Sequence, residues 1–133
     1  MSEVTAGRHE NASVLIVEDE ALIAFFLEDT LDELGYPCCG VAGSADEALC
    51  LAEAQSPALA FVDIGLRGSR DGIAVATELA SRGIVVVFLT GSNDAETRRR
   101  VEAVQPHGIL AKPCNHRDIA NMLESARRSL SET

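Results

Sequence analysis

Apolar and polar positions alternate in blocks along the chain, and the period of each block predicts its element. Val14-Leu15-Ile16-Val17 is a short apolar run that stops at charge, the mark of a strand buried on both faces. Leu22, Ile23, Phe26, Leu27, Leu31 and Leu34 then recur at helical spacing, with Gly35 as the stop. A weaker strand spans Pro37 to Gly43. Ser44 with Glu47 forms a capping box that opens a helix through Gln55. Ala58 to Ile64 predicts a third strand, Gly65 to Gly72 a loop, and Ile73 to Leu79 a helix that ends at Gly83. Ile84 to Leu89 is the most apolar strand. A polar helix follows over Asn93 to Val104, closed by Pro106. Gly108 to Ala111 is a short strand. Asn115, with Asp118 three residues on, caps a last helix carrying Ile119, Met122, Leu123, Ala126 and Leu130.

Five strands and five helices in strict alternation predict an α/β fold, a doubly wound parallel sheet with helices on both faces. The pattern sets a flexible N-terminal tail over 1–12 and one domain over 13–130. No linker or second domain follows the fifth helix before Thr133, so a stand-alone module is the expectation.

Composition narrows the class. The 133 residues suit a single domain, and 47% apolar content is ordinary for a globular chain. Aromatics are only 4%, so Val, Leu, Ile and Ala must build the core. A formal net charge of −10 argues against nucleic-acid binding, which needs Lys and Arg to neutralise phosphates. The four cysteines (Cys38, Cys39, Cys50 and Cys114) show no C-x-x-C or zinc spacing and read as reduced packing residues. His9, His107 and His116 are scattered and read as surface residues. Arg98-Arg99-Arg100 reads as a solvated helix face. No run approaches the ~20 apolar residues that span a bilayer. The polar start, Met1 to Asn11, lacks the apolar core of a signal peptide, so a cytoplasmic protein is expected.

The chemistry lies at the strand ends. The first strand ends in Glu18-Asp19, the third in Asp63, the fourth in Thr90 and the fifth in Lys112-Pro113. Ligands of open α/β sheets bind outside the carboxyl ends of the strands. Clustered carboxylates repel and call for a cation, and oxygen-only donors suit a hard ion such as Mg²⁺. Lys112 offers a positive charge for a phosphoryl group and Thr90 a hydroxyl donor. Asp63 is the candidate nucleophile, because a carboxylate can form an acyl phosphate.

These residues carry a resemblance. Val14 to Glu20, Phe61-Val62-Asp63-Ile64-Gly65-Leu66, Asp71-Gly72, Phe88-Leu89-Thr90-Gly91 and Ala111-Lys112-Pro113 occur in the order found in bacterial response regulators. The chain resembles a receiver domain of that two-component family over about Ser13 to Arg128. The resemblance implies a flavodoxin-like strand order of 2-1-3-4-5. It implies that Asp63 accepts phosphate from a sensor histidine kinase or a histidine phosphotransfer protein. It implies a Mg²⁺ site at Glu18 (through water), Asp19, Asp63 and the carbonyl of Gly65. Lys112 would pair with the phosphoryl group, Thr90 would hydrogen-bond it, and Pro113 would follow a cis peptide. A downstream protein target would read the outcome through a phosphorylation-dependent surface, and a homodimer is compatible with this. Two departures stand out. Arg67 occupies a position where relatives often carry Pro, in a loop one residue longer than in many of them. Ile109 occupies the usual aromatic switch position, three residues before Lys112.

Four other readings compete. A haloacid-dehalogenase-type phosphatase also uses a strand-end Asp with Mg²⁺, but needs a second Asp where this chain has Gly65. A receiver that binds partners without being phosphorylated conflicts with the full Asp, Thr and Lys set. A phosphate shuttle or sink would need docking to His-bearing partners only. A nucleotide-binding domain is disfavoured, since no G-x-G-x-x-G or P-loop follows the first strand.

Overall fold

The computed structural model describes residues 12–66, 71–91 and 94–131. The elements alternate as β1 (Val14–Val17), α1 (Ala21–Leu34), β2 (Cys38–Ala42), α2 (Ala45–Gln55), β3 (Leu59–Asp63), α3 (Gly72–Ser81), β4 (Val85–Thr90), α4 (Ala95–Val104), β5 (Gly108–Ala111) and α5 (His116–Ser131). All five strands pair in parallel, in the order β2-β1-β3-β4-β5. The expected doubly wound sheet and its strand order are both present. The tail expected over 1–12 lies outside the described residues up to position 11. Ala12, assigned to that tail, is buried against Val14 and its neighbours. Core packing therefore reaches one residue further toward the N-terminus than the pattern set it.

Successive strand residues point to opposite faces of a sheet, and here both faces are apolar. Leu15, Val17, Ala60, Val62, Val86 and Phe88 join a core with α2, α3 and Val101 of α4. Val14, Ile16, Leu59, Phe61, Val87 and Leu89 join a second core with α1 and α5. This two-sided burial is why the strands read as unbroken apolar runs. Each fully buried Leu, Ile or Phe contributes roughly 1.5–3 kcal/mol.

Local chemistry sets the helix ends. Ser44 Oγ accepts from the Glu47 amide at 3.3 Å, and the Glu47 carboxylate reaches back to the Gly43 amide at 2.8 Å. Asn115 and Asp118 cap each other reciprocally, at 2.8 and 3.0 Å. The polar helix opens on Asp94, whose side chain accepts from the Thr97 amide. Asn93, the start inferred from the pattern, lies outside the described residues, as do 67–70 of the loop before α3. Gly35 ends α1 with φ of 84°, a left-handed turn that suits glycine.

A candidate acidic pocket at the carboxyl edge of the sheet

β1 and β3 lie side by side, Val17 opposite Val62, so the residues that follow them emerge together. One carboxylate oxygen from each of Glu18, Asp19 and Asp63 lies within 4.8 Å of the others. β4 pairs with β5 through Thr90 and Ala111, and the Lys112 amide donates to the Thr90 carbonyl at 2.8 Å. That ladder delivers Lys112 to the same edge, and the following peptide, Lys112–Pro113, is cis.

Lys112 Nζ stands 3.1 Å from Asp63 Oδ1 and 3.2 Å from Glu18 Oε1. The Glu18 side chain is 0% exposed and that of Asp63 8%, so water screens neither pair strongly. Burial pushes the Glu18 carboxyl above its ordinary range. The Glu20 amide on Glu18 Oε2, at 3.1 Å, opposes this, and the Asp63 charge adds to it. Burial works to lower the Lys112 pKa, but the hydrogen bond and charge of Asp63, with Glu18 behind them, outweigh it. Lys112 ends above its usual value and stays charged. Among the described residues, the Lys112 ammonium at 3.2 Å is the polar group that meets the buried Glu18 Oε1. A buried carboxylate inside a set of oxygen donors fits a hard divalent cation.

Two further contacts fix Asp63. The Gly65 amide donates to Oδ1 at 3.0 Å. Behind the strand end, a Cβ on Gly72 would lie 1.9 Å from the Asp63 carbonyl oxygen, so the first turn of α3 packs directly on this backbone. Thr90 is half-buried and lines a cavity of about 400 Å³ with Ile64, Thr97, Val101, Ile109 and Lys112. Ile109 is 44% exposed at the outer side of β5.

All residues singled out from the sequence thus lie at one edge: Glu18, Asp19, Asp63, Gly65, Thr90 and Lys112. Two participants escaped that reading. Glu20 Oε1 approaches Lys112 Nζ at 3.9 Å, and only its place directly after the acid pair hinted at this. Asp71 caps α3 through the Ala74 amide and also pairs with Arg100 of α4 at 2.8 Å. Those residues are 29 positions apart, and no local signal links them. Among the described residues no helix is long and apolar enough to cross a membrane. All four cysteines are free thiols.

A parallel sheet in this order is the flavodoxin-like fold, shared with CheY-like solved structures. The chain belongs to the response regulator receiver domain family, whose sequence pattern matches residues 14–124. The transcriptional regulatory protein PdtaR of Mycobacterium tuberculosis is 39% identical over 114 residues, covering 85% of this chain and 55% of PdtaR. The phyllosphere-induced regulator PhyR of Methylorubrum extorquens is 33% identical over 115 residues, covering 85% of this chain and 42% of PhyR. The crystal structure of the signal receiver domain of a modulated diguanylate cyclase from Desulfovibrio desulfuricans superposes with a TM-score of 0.83 at 39% identity, covering 88% of this chain and 94% of that one. The chain spans about half the length of the curated relatives it matches.

Proposed function

We propose that this receiver domain is a phosphoacceptor that takes a phosphoryl group on Asp63 from a phosphohistidine of a kinase or phosphotransfer protein. One observation carries the reading: Lys112 is held between Asp63 and Glu18 beside Asp19, so acceptor, counter-charge and cation donors share one site. In the transfer, an Asp63 carboxylate oxygen forms the new O–P bond as the N–P bond breaks, and the released imidazole nitrogen takes up a proton. Phosphoryl transfer asks mainly for positioning and charge stabilisation. Lys112 supplies positive charge against the transferred group, Thr90 donates its hydroxyl, and Gly65 N–H with Gly72 behind the strand fixes Asp63. Glu18, Asp19, Asp63 and the Gly65 carbonyl would hold Mg²⁺, which neutralises negative charge at the pocket when bound. The protein acts in the cytoplasm as a self-phosphorylating signalling element and turns over no separate substrate.

Output is read by a protein partner. When Thr90 closes on the phosphoryl group, the cavity behind it changes, and α4 with β5 shifts between two pre-existing arrangements. With Ile109 in place of an aromatic ring, the shift runs through the backbone and α4 rather than a ring flip. Hydrogen exchange with Mg²⁺ and beryllofluoride, a phosphoryl mimic, tests this. Altered protection across α4 and β5 supports a docking switch. Change confined to the acid pocket contradicts it and favours a phosphate sink.

A further inference from the structure

Helix α1 carries its charges against its own stability. Its first turn holds no acid and its last turn no base. Glu28, Asp29, Asp32 and Glu33 all fall in its second half instead. The carboxyl end of a helix dipole is negative, so acids there destabilise. Glu28 with Asp32, and Asp29 with Glu33, are also like charges four residues apart, which repel on a helix surface. Glu33 is met by His116 of α5 at 3.1 Å. Among the described residues, no basic side chain pairs with Glu28, Asp29 or Asp32.

These three acids line one cleft. Phe25, Glu28, Asp29 and Asp32 recur at spacings of three and four, which makes them one stripe of α1. Pro37 and Cys38 line the same space, with the buried Tyr36, and it encloses about 400 Å³. Arg127 of α5 meets Tyr36, but its charge is taken up by Glu124 at 2.6 Å. Phe25 is 67% exposed, so core packing does not account for it. Cys38 pairs with Val14 where β2 and β1 begin. The cleft therefore opens toward the amino edge of the sheet, away from Glu18, Asp19 and Asp63.

We propose that this cleft is a docking site for an arginine-bearing segment of a partner protein. The acids select a cation, and their sign disfavours a nucleic-acid backbone and an anionic membrane surface. Arginine fits better than lysine, because its planar fork can hydrogen-bond carboxylates while its face stacks on the Phe25 ring. The volume lies at the small end of ligand pockets, which run from roughly 300 to 1,000 Å³, and suits peptide side chains. A partner's positive charge relieves the repulsions that the free helix bears, and departures from local stability of this kind mark functional sites. A symmetric dimer through this face would set acid on acid. The site does not depend on the phosphoacceptor reading.

The test is an NMR titration of the full chain with the capped peptide acetyl-Leu-Arg-Leu-Arg-Leu-amide at low ionic strength. Amide shifts should centre on Phe25, Glu28, Asp32 and Cys38, and added salt should weaken binding. Phe25→Ser and Asp32→Lys should each lower affinity about three- to tenfold. Asp32→Lys should at the same time raise the thermal midpoint, since it turns an adverse helix-end charge into a favourable one; a merely damaged helix would lose both. Leu22→Ser, 85% exposed on α1 but outside the cleft, should leave affinity unchanged. Lysine in place of the peptide arginines should bind severalfold more weakly. No binding at millimolar peptide, shifts centred elsewhere, or unchanged affinity in both cleft variants overturns the proposal. Self-association abolished by Asp32→Lys would give the cleft to a second copy and overturn it too. A nuclear Overhauser contact between Arg8 and Phe25 in the peptide-free chain would give it to the chain's own N-terminal segment, with the same consequence.

Discussion

Gly72→Ala offers a sharp test of how the strand end is built. The added Cβ would lie 1.9 Å from the Asp63 carbonyl oxygen, 2.8 Å from the Asp63 carbonyl carbon and 3.0 Å from the Ile64 Cα. Each of these is backbone, so no side chain can swing aside. Relief requires α3 to move off the sheet by more than an ångström, through a core that includes Ile73, Val75, Ala76 and Leu79. Overpacking of this kind costs about 3 kcal/mol. Alanine's better helix propensity returns at most about 1 kcal/mol, and less at a first-turn position, so the steric cost prevails. With a urea m-value of roughly 1.5 kcal/mol/M, the unfolding midpoint should fall by more than 1 M. Two other glycines calibrate the result. Gly83 has open space but φ of 85°, so Gly83→Ala should cost about 1 kcal/mol through the left-handed backbone alone. Gly91 has open space and no positive φ, so Gly91→Ala should stay within about 0.5 kcal/mol. Urea denaturation of the three variants, followed by circular dichroism, decides. A Gly72→Ala protein as stable as Gly91→Ala would refute the packing of α3 on Asp63.

Other consequences can be measured separately. Lys112→Ala leaves buried Glu18 and Asp63 facing each other without a counter-charge, which should cost about 3 kcal/mol; millimolar Mg²⁺ should restore more thermal stability to this variant than to the parent, and equal Mg²⁺ effects would refute the pairing. The Asp71 carboxyl sits below its ordinary value: burial raises it, but the Ala74 amide and Arg100 outweigh burial. A depressed carboxyl stabilises fully above its unfolded value of 3.8 and loses that contribution as pH falls through the folded value. Arg100→Ala should therefore destabilise by under about 1 kcal/mol at neutral pH, given the half-exposed pair, and the deficit should vanish as acid takes the pH down through the folded value of Asp71. Burial pushes the thiols of Cys38, Cys39 and Cys114 up, whereas Cys50 is exposed; maleimide labelling mapped by peptide mass should find Cys50 first.

Much of this fold is legible because its sheet is buried on both sides. β1 and β3 announce themselves as apolar runs that end in acid, and their ends fix the pocket. Boundaries shift where pairing overrides pattern. β4 extends to Thr90, one residue past the apolar run, because the Lys112 amide continues the ladder onto the Thr90 carbonyl. β3 stops at Asp63 rather than Ile64, since the chain turns there to bring α3 onto it. The strand order followed from the family resemblance, as alternation alone gives only parallel pairing. Glu20 was illegible as a partner of Lys112, because a side chain's choice between capping its helix and facing a distant cation is tertiary. The Asp71–Arg100 pair was hidden for the same reason, joining two helices that only the folded sheet brings together.

The central claim is that Asp63 is the phosphoacceptor. Intact-mass measurement after incubation with acetyl phosphate and Mg²⁺ tests it most directly, on the parent chain and on Asp63→Ala. The parent should gain the mass of one phosphoryl group, lose it on removal of Mg²⁺ during labelling, and carry it on the peptide containing Asp63. The Asp63→Ala chain should gain nothing. Equal labelling of the two chains, or no labelling of the parent at saturating donor, would contradict the assignment.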